Sequence, residues 1–145
     1  MNAKIIRKFD KYTLECTTSA YIELCKKFNG GLQEIANQIQ KVSDSKNEGM
    51  ACDIIADIIV ELVNGHYNKL VYESKYKKLN VDLKELKPIS KEDILYNYSL
   101  VDILNASQDC IETIADSQKA LIPEDIKLKP VDVELEMIEQ EKKEN

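Results

Sequence analysis

The sequence has no tryptophan, a single histidine, four glycines and three prolines in 145 residues. Each shortage removes a class of protein. Four glycines are too few for a glycine-rich phosphate cradle, and three prolines too few for a proline-rich linker or a collagen-like repeat. The four cysteines, Cys16, Cys25, Cys52 and Cys110, contain no C-x-x-C pair, which argues against zinc and against a redox motif. Set beside apolar neighbours, they read as small buried hydrophobes in a reducing compartment. Long apolar runs are missing too. The most apolar stretch, Ile54 to Val63, contains Asp57 and Glu61 and is about half the length that spans a bilayer. The first ten residues meet a charge after every two or three apolar positions, so they lack the h-region of a secretory signal. These shortages lead us to expect a soluble, cytoplasmic protein.

What is present is the balance of one globular domain, 43% hydrophobic and 32% charged. A chain of this length buries roughly two thirds of its unfolded surface, enough for a core without disulfide or metal staples. Twenty basic residues against twenty-six acidic ones give a net charge of −6. That excess repels nucleic acid and anionic membrane as a whole.

Residues 4 to 16 alternate with a two-residue period around a polar break, through Ile6 and Phe9 and then Tyr12, Leu14 and Cys16. The pattern predicts a β-hairpin turning near Asp10-Lys11. Thr17, Thr18 and Ser19 offer N-caps for a helix whose apolar face is Tyr21, Leu24, Cys25 and Phe28. Asn29-Gly30-Gly31 ends it, since these residues tolerate a left-handed C-cap. A second helix is expected from Leu32 to Val42, with a polar break over 43–46. From Glu48 to Asn64, Ile54, Ile55, Ile58, Ile59, Leu62 and Val63 form a wide apolar face opposite Asp53, Asp57 and Glu61. This predicts the central core helix, and Asn64-Gly65 reads as its stop. A further helix runs from residue 66 to about Leu79, followed by a loop. Pro88 and Ser90 restart the helical pattern, and Leu100, Ile103, Leu104, Ile111, Ile114, Gln118 and Leu121 keep its period, so a helix of about twenty residues is expected to end before Pro123. The fold class is therefore mostly α: a small N-terminal β-hairpin, a bundle of about five helices over 1–122, and a flexible acidic tail over 123–145. The tail holds eight acids and four lysines, a net charge of −4.

Few residues suggest chemistry. Asp53, Asp57 and Glu61 recur every four positions, where carboxylates become neighbours, but one helix face supplies too few ligands for a metal. A solvated face opposite the isoleucines explains them better. His66 lies near Asn64 and Tyr67, yet no Ser or Cys stands at a motif spacing to it. A polar loop or helix N-terminal position suits it better than general-base catalysis. No catalytic, metal-binding or cofactor-binding residue is assigned. The segment from Tyr67 to Lys78 interleaves Tyr67, Tyr72 and Tyr76 with Lys69, Lys75, Lys77 and Lys78, the mixture that single-stranded nucleic-acid sites use. The acidic total and Glu73 weigh against nucleic acid, and favour an amphipathic helix that caps the core or meets an acidic protein surface. In the tail, Val131-Asp132-Val133-Glu134-Leu135-Glu136 alternates strictly and is followed by Met137 and Ile138, a pattern suited to ordering against a partner.

The order of elements carries one resemblance. A hairpin ending in Tyr12-Thr13-Leu14-Glu15-Cys16-Thr17 leads into Ala20-Tyr21-Ile22-Glu23-Leu24-Cys25-Lys26-Lys27-Phe28-Asn29-Gly30-Gly31. This resembles the opening of the tail assembly chaperones of long-tailed bacteriophages and prophages of Gram-positive bacteria. Lys26-Lys27-Phe28 and Gly30 match that pattern, and Asn29 is an insertion before the glycines. The agreement in element order covers roughly residues 4 to 121. The resemblance implies a non-enzymatic protein that coats the tape measure protein and helps recruit tail tube subunits. It carries over no catalytic residue. Tyr67, Tyr72, Tyr76, Leu135, Met137 and Ile138 are the candidate partner contacts, and self-association is possible. The alternative from another class is a small nucleic-acid-associated or regulatory helical protein using Tyr67 to Lys78.

Overall fold

The computed structural model describes residues 5–77 and 87–121, with the side chains of 119–121 left out. The chain opens on β1 (Arg7–Phe9) and β2 (Tyr12–Leu14), an antiparallel pair in the register Arg7 to Leu14, Lys8 to Thr13 and Phe9 to Tyr12. Asp10 takes a left-handed φ of 54°, so the two-residue turn falls at the expected Asp10-Lys11. Phe9 and Leu14 turn inward and are buried.

Helix α1 (Thr18–Phe28) starts where the Thr17 hydroxyl accepts the Ala20 N–H at 3.1 Å. It stops at Asn29, the residue that takes the left-handed conformation, with a φ of 56°; neither following glycine does. Helix α2 (Leu32–Asp44) has Gly31 as its N-cap, a residue with no side chain to accept a helix N–H. The hydroxyl of Tyr21 takes that role by accepting the Leu32 N–H at 3.2 Å. A Cβ on Gly31 would come within 2.6 Å of that hydroxyl. Lys46, at φ 60°, then turns the chain into α3 (Glu48–Tyr76), capped by the Asn47 side chain on Met50 N–H.

The 29 residues of α3 make it about 43 Å long, and most other elements pack around it. Ile55, Ile58, Ile59 and Leu62 on it are almost wholly buried. The expected stop at Asn64-Gly65 is wrong, because tertiary contacts give both residues work inside an unbroken helix. The Asn64 side chain donates to the Ile89 carbonyl at 2.9 Å and accepts the Ile89 N–H at 2.8 Å, pinning the segment that leads to the next helix. Gly65 lets another chain segment approach: a Cβ there would stand 2.8 Å from the Glu15 carbonyl oxygen and 3.0 Å from the Ala20 Cβ. The helices expected over 48–64 and from 66 to about Leu79 are therefore one, described as far as Tyr76.

The helical pattern that restarts at Ser90 forms α4 (Lys91–Asn97), and the helix of about twenty residues expected to end before Pro123 is corrected to two, α5 (Leu100–Asn105) and α6 (Ser107–Leu121). Ser90 with Asp93 and Ser99 with Asp102 each form a complete capping box, and the second restarts the helix after an extended Tyr98. A continuous helix would leave Tyr98 on the same winding. The extended residue instead lays its ring on Phe9, with centroids 4.7 Å apart, and its hydroxyl donates to Asp10 at 2.7 Å. Arg7 then ties β1 to α6 through Asp116 at 2.8 Å and Glu112 at 3.2 Å. The tail expected over 123–145 lies outside the described residues.

Alanine in place of an internal helical glycine ordinarily stabilises by about 1 kcal/mol. At Gly65 the nearest obstacle is a backbone carbonyl, which cannot swing aside without moving the β2–α1 junction, so an overpacking cost of about 1–3 kcal/mol outweighs that gain. Gly65→Ala is expected to lower the urea unfolding midpoint. A raised midpoint would show that the junction does not press on α3.

Candidate functional site

Three polar arrangements and one apolar one stand out on this frame. The first is the acidic stripe of α3, which is corrected from a solvated face to a seam between helices. Lys27 of α1 reaches Glu61 at 3.0 Å and Asp57 at 3.7 Å, while Lys91 at the start of α4 reaches Asp53 at 2.7 Å and Asp57 at 3.2 Å. Burial pulls the Lys91 ammonium down, but Asp53 and Asp57 outweigh it and its pKa ends above the ordinary value. Each pair is still partly open to solvent and contributes on the order of 1 kcal/mol, so the seam's effect is to fix where α1 and α4 sit along α3.

The second arrangement surrounds Glu15, in the link between β2 and α1. Its carboxylate meets His66 Nδ1 at 2.8 Å and Lys69 Nζ at 2.6 Å, one turn apart on α3, and its backbone N–H donates to the Leu62 carbonyl at 3.1 Å. His66 is thus neither in a loop nor at a helix start. It sits within α3, where Gly65 brings Glu15 to it. The hydrogen bond to Glu15 is the main cause that holds the Lys69 pKa above its ordinary value. This constellation joins the hairpin to the central helix.

The third is the tyrosine and lysine segment at the end of α3. The structure brings Tyr72 and Tyr76 together, ring centroids 5.1 Å apart, and leaves both exposed. Tyr67, five residues before Tyr72 and so on another side of the helix, is half-buried. Lys75 lies 5.8 Å from the Tyr76 ring centre and Lys77 5.9 Å from that of Tyr72. Lys78, and the candidate contacts Leu135, Met137 and Ile138, lie outside the described residues.

The apolar arrangement was not foreseen. At the α4–α5 corner Leu95, Tyr96, Leu100 and Val101 are all exposed, Tyr96 to 83% and Val101 to 59%. Between them Tyr98 turns the opposite way, onto the hairpin, and Ile94 and Ile103 are buried. The corner is anchored from below while its outer side chains face solvent. The legible signal was the Ser99-x-x-Asp102 spacing, a capping box that divides the long helical pattern. Elsewhere, a groove of about 320 Å³ runs between α2, the start of α3 and the α5–α6 junction. Its apolar lining includes Ile39, Val42, Ile55 and Leu104, with Lys46 and Glu48 as its charged residues. Among the described residues no group of three or more His, Cys, Asp or Glu is placed to hold a metal ion, and no helix is long and apolar enough to cross a membrane.

The cysteines are free, with Cys16, Cys52 and Cys110 buried and Cys25 partly so. Burial pushes up the thiols of Cys16, Cys52 and Cys110, the last to about 12, and also pushes up the Tyr98 phenol. Each group keeps its proton in the folded chain at a pH where the unfolded chain has released it. Their contribution is therefore complete below the ordinary thiol value of about 8.5, and shrinks as pH climbs through it and past the ordinary phenol value of about 10. Urea midpoints are expected to fall steadily from about pH 8.5 upward, and midpoints unchanged to pH 10 would contradict the burial of these groups. In comparisons with known proteins, no family model, no curated protein and no solved structure matches the chain.

Proposed function

We propose that the protein is a non-enzymatic chaperone of phage or prophage tail assembly, which binds the tape measure protein in the cytoplasm of the bacterial host and helps recruit tail tube subunits. The observation that supports this reading best is the α4–α5 corner, where Leu95, Tyr96, Leu100 and Val101 stand exposed on a backbone held by two capping boxes. An apolar patch on a fixed backbone loses little conformational freedom when a partner covers it. The partner's class comes from the hairpin and helix order that resembles the tail assembly chaperones.

Magnitudes fit a reversible coat. Burying one large apolar side chain stabilises by about 1.5–3 kcal/mol, and these four are already partly covered. Against that stands an association cost of about 4–15 kcal/mol, so one corner alone binds weakly. Many copies along one long apolar partner would cover it together and still be displaced one at a time by polymerising tube subunits. A tight single-site binder would block that exchange.

Co-expression of the chain with the two proteins encoded immediately downstream of its gene, followed by purification in high salt, tests the reading. A long, helix-rich partner that is insoluble alone is expected to stay soluble and to co-purify, since apolar contacts persist in salt. Tyr96→Asp with Val101→Asp, both at exposed positions, is expected to lower the recovered partner about tenfold while the helical circular dichroism of the chain is unchanged. A partner that remains insoluble beside the folded chain would overturn the proposal.

A further inference from the structure

The last turns of α3 present Tyr72, Lys75, Tyr76 and Lys77 as one exposed face, the two rings 53% and 65% accessible. Among the described residues neither Lys75 nor Lys77 is in an ion pair, whereas Lys27, Lys69 and Lys91 are each held by carboxylates. Both ammonium groups instead lie near the rings, within 6 Å of their centres. Two exposed rings flanked by two cations match a ligand that brings apolar side chains and carboxylates together in a short segment.

The chain carries such a segment itself. Residues 131–138 read Val-Asp-Val-Glu-Leu-Glu-Met-Ile, three acids among five apolar residues with no base. Its reach is sufficient. Near the end of α6, Ser117 lies beside Cys16, the neighbour of the Glu15 carbonyl that packs at Gly65. The end of α6 is thus level with Gly65, and Tyr72 and Tyr76 stand about 11–17 Å farther along α3 at 1.5 Å per residue. Residues 122–130 extend to about 30 Å at about 3.3 Å each, which spans that distance and the width of a helix. We propose that residues 131–138 dock on the Tyr72–Lys77 face of their own chain, apolar side chains on the rings and carboxylates beside Lys75 and Lys77. Because the segment is tethered, its effective concentration is on the order of millimolar, so a contact too weak for a free peptide is populated here. This inference does not depend on the chaperone reading, since it concerns the chain alone.

Zero-length carbodiimide cross-linking of the full chain, in an equal mixture of unlabelled and ¹⁵N-labelled protein, tests it by peptide mass spectrometry. Links from Lys75 or Lys77 to Asp132, Glu134 or Glu136 are expected in excess of links from the exposed Lys8, Lys11, Lys41 and Lys46. They are expected within one isotope only and to persist on dilution. Tyr72→Ala with Tyr76→Ala is expected to cut their yield about fivefold without loss of helical signal. Equal linkage to all exposed lysines would overturn the proposal. Mixed-isotope links would overturn it in favour of a second copy's tail. Salt-sensitive binding of a fluorescent oligothymidylate at Tyr72 and Tyr76, with the tail links absent, would overturn it in favour of nucleic acid.

Discussion

The peptide of Glu15 lies against α3 at Gly65, and the arrangement of the molecule depends on that approach. Its N–H shares the Leu62 carbonyl, its own carbonyl occupies the space a Cβ would fill, and its carboxylate gathers His66 and Lys69. A glycine one turn from a lysine on the central helix is therefore the feature that seats the hairpin. Once the hairpin is seated, Phe9 and Asp10 are in place to receive the ring and hydroxyl of Tyr98, and Arg7 is in place to hold α6. The contacts that fix the ends of the chain's first half thus also fix its second half.

Charge and capping do different work in this frame from burial. The isoleucines of α3 supply the apolar burial, and exchanging one of them for alanine typically costs about 2–5 kcal/mol. The lysine clamp of Asp53, Asp57 and Glu61 stabilises far less, but it sets the position of α1 and α4 along a helix whose apolar face alone leaves sliding open. The two capping boxes cut a long helical pattern into short helices, each box worth about 1 kcal/mol. The break turns Tyr98 inward and leaves Tyr96 and Val101 outward. The exposed corner is a product of the local caps and of the distant hairpin at once.

Much of this was legible in the sequence because it is local. The two-residue period around Asp10-Lys11, the Thr17 cap and the isoleucine face of α3 all express short-range rules, and each has its expected place in the structure. Two of the misreadings have one cause, tertiary contact overriding local signals. Asn64-Gly65 is a turn dipeptide on its own, and only Ile89 and Glu15, 25 and 50 residues away, make it helical. The acids of α3 look solvated until Lys27 and Lys91 are brought from other helices. The pairing of the Tyr72 and Tyr76 rings one turn apart on α3 was legible from their spacing. Leu95, Tyr96, Leu100 and Val101 were not, since a helical period extended through Ser99 assigns Leu100 to the core and passes over the cap.

The functional proposal rests on a frame rigid enough to present one apolar corner, and that rigidity has its root in an unbroken α3. Native-state hydrogen exchange of the chain alone reads this directly. Amides from Val63 to Lys69 are expected to exchange in the same cooperative unit as those from Ile55 to Leu62, because the Glu15 contacts hold both sides of Gly65. Exchange that becomes orders of magnitude faster just beyond Asn64-Gly65 would show a hinge there and contradict the account.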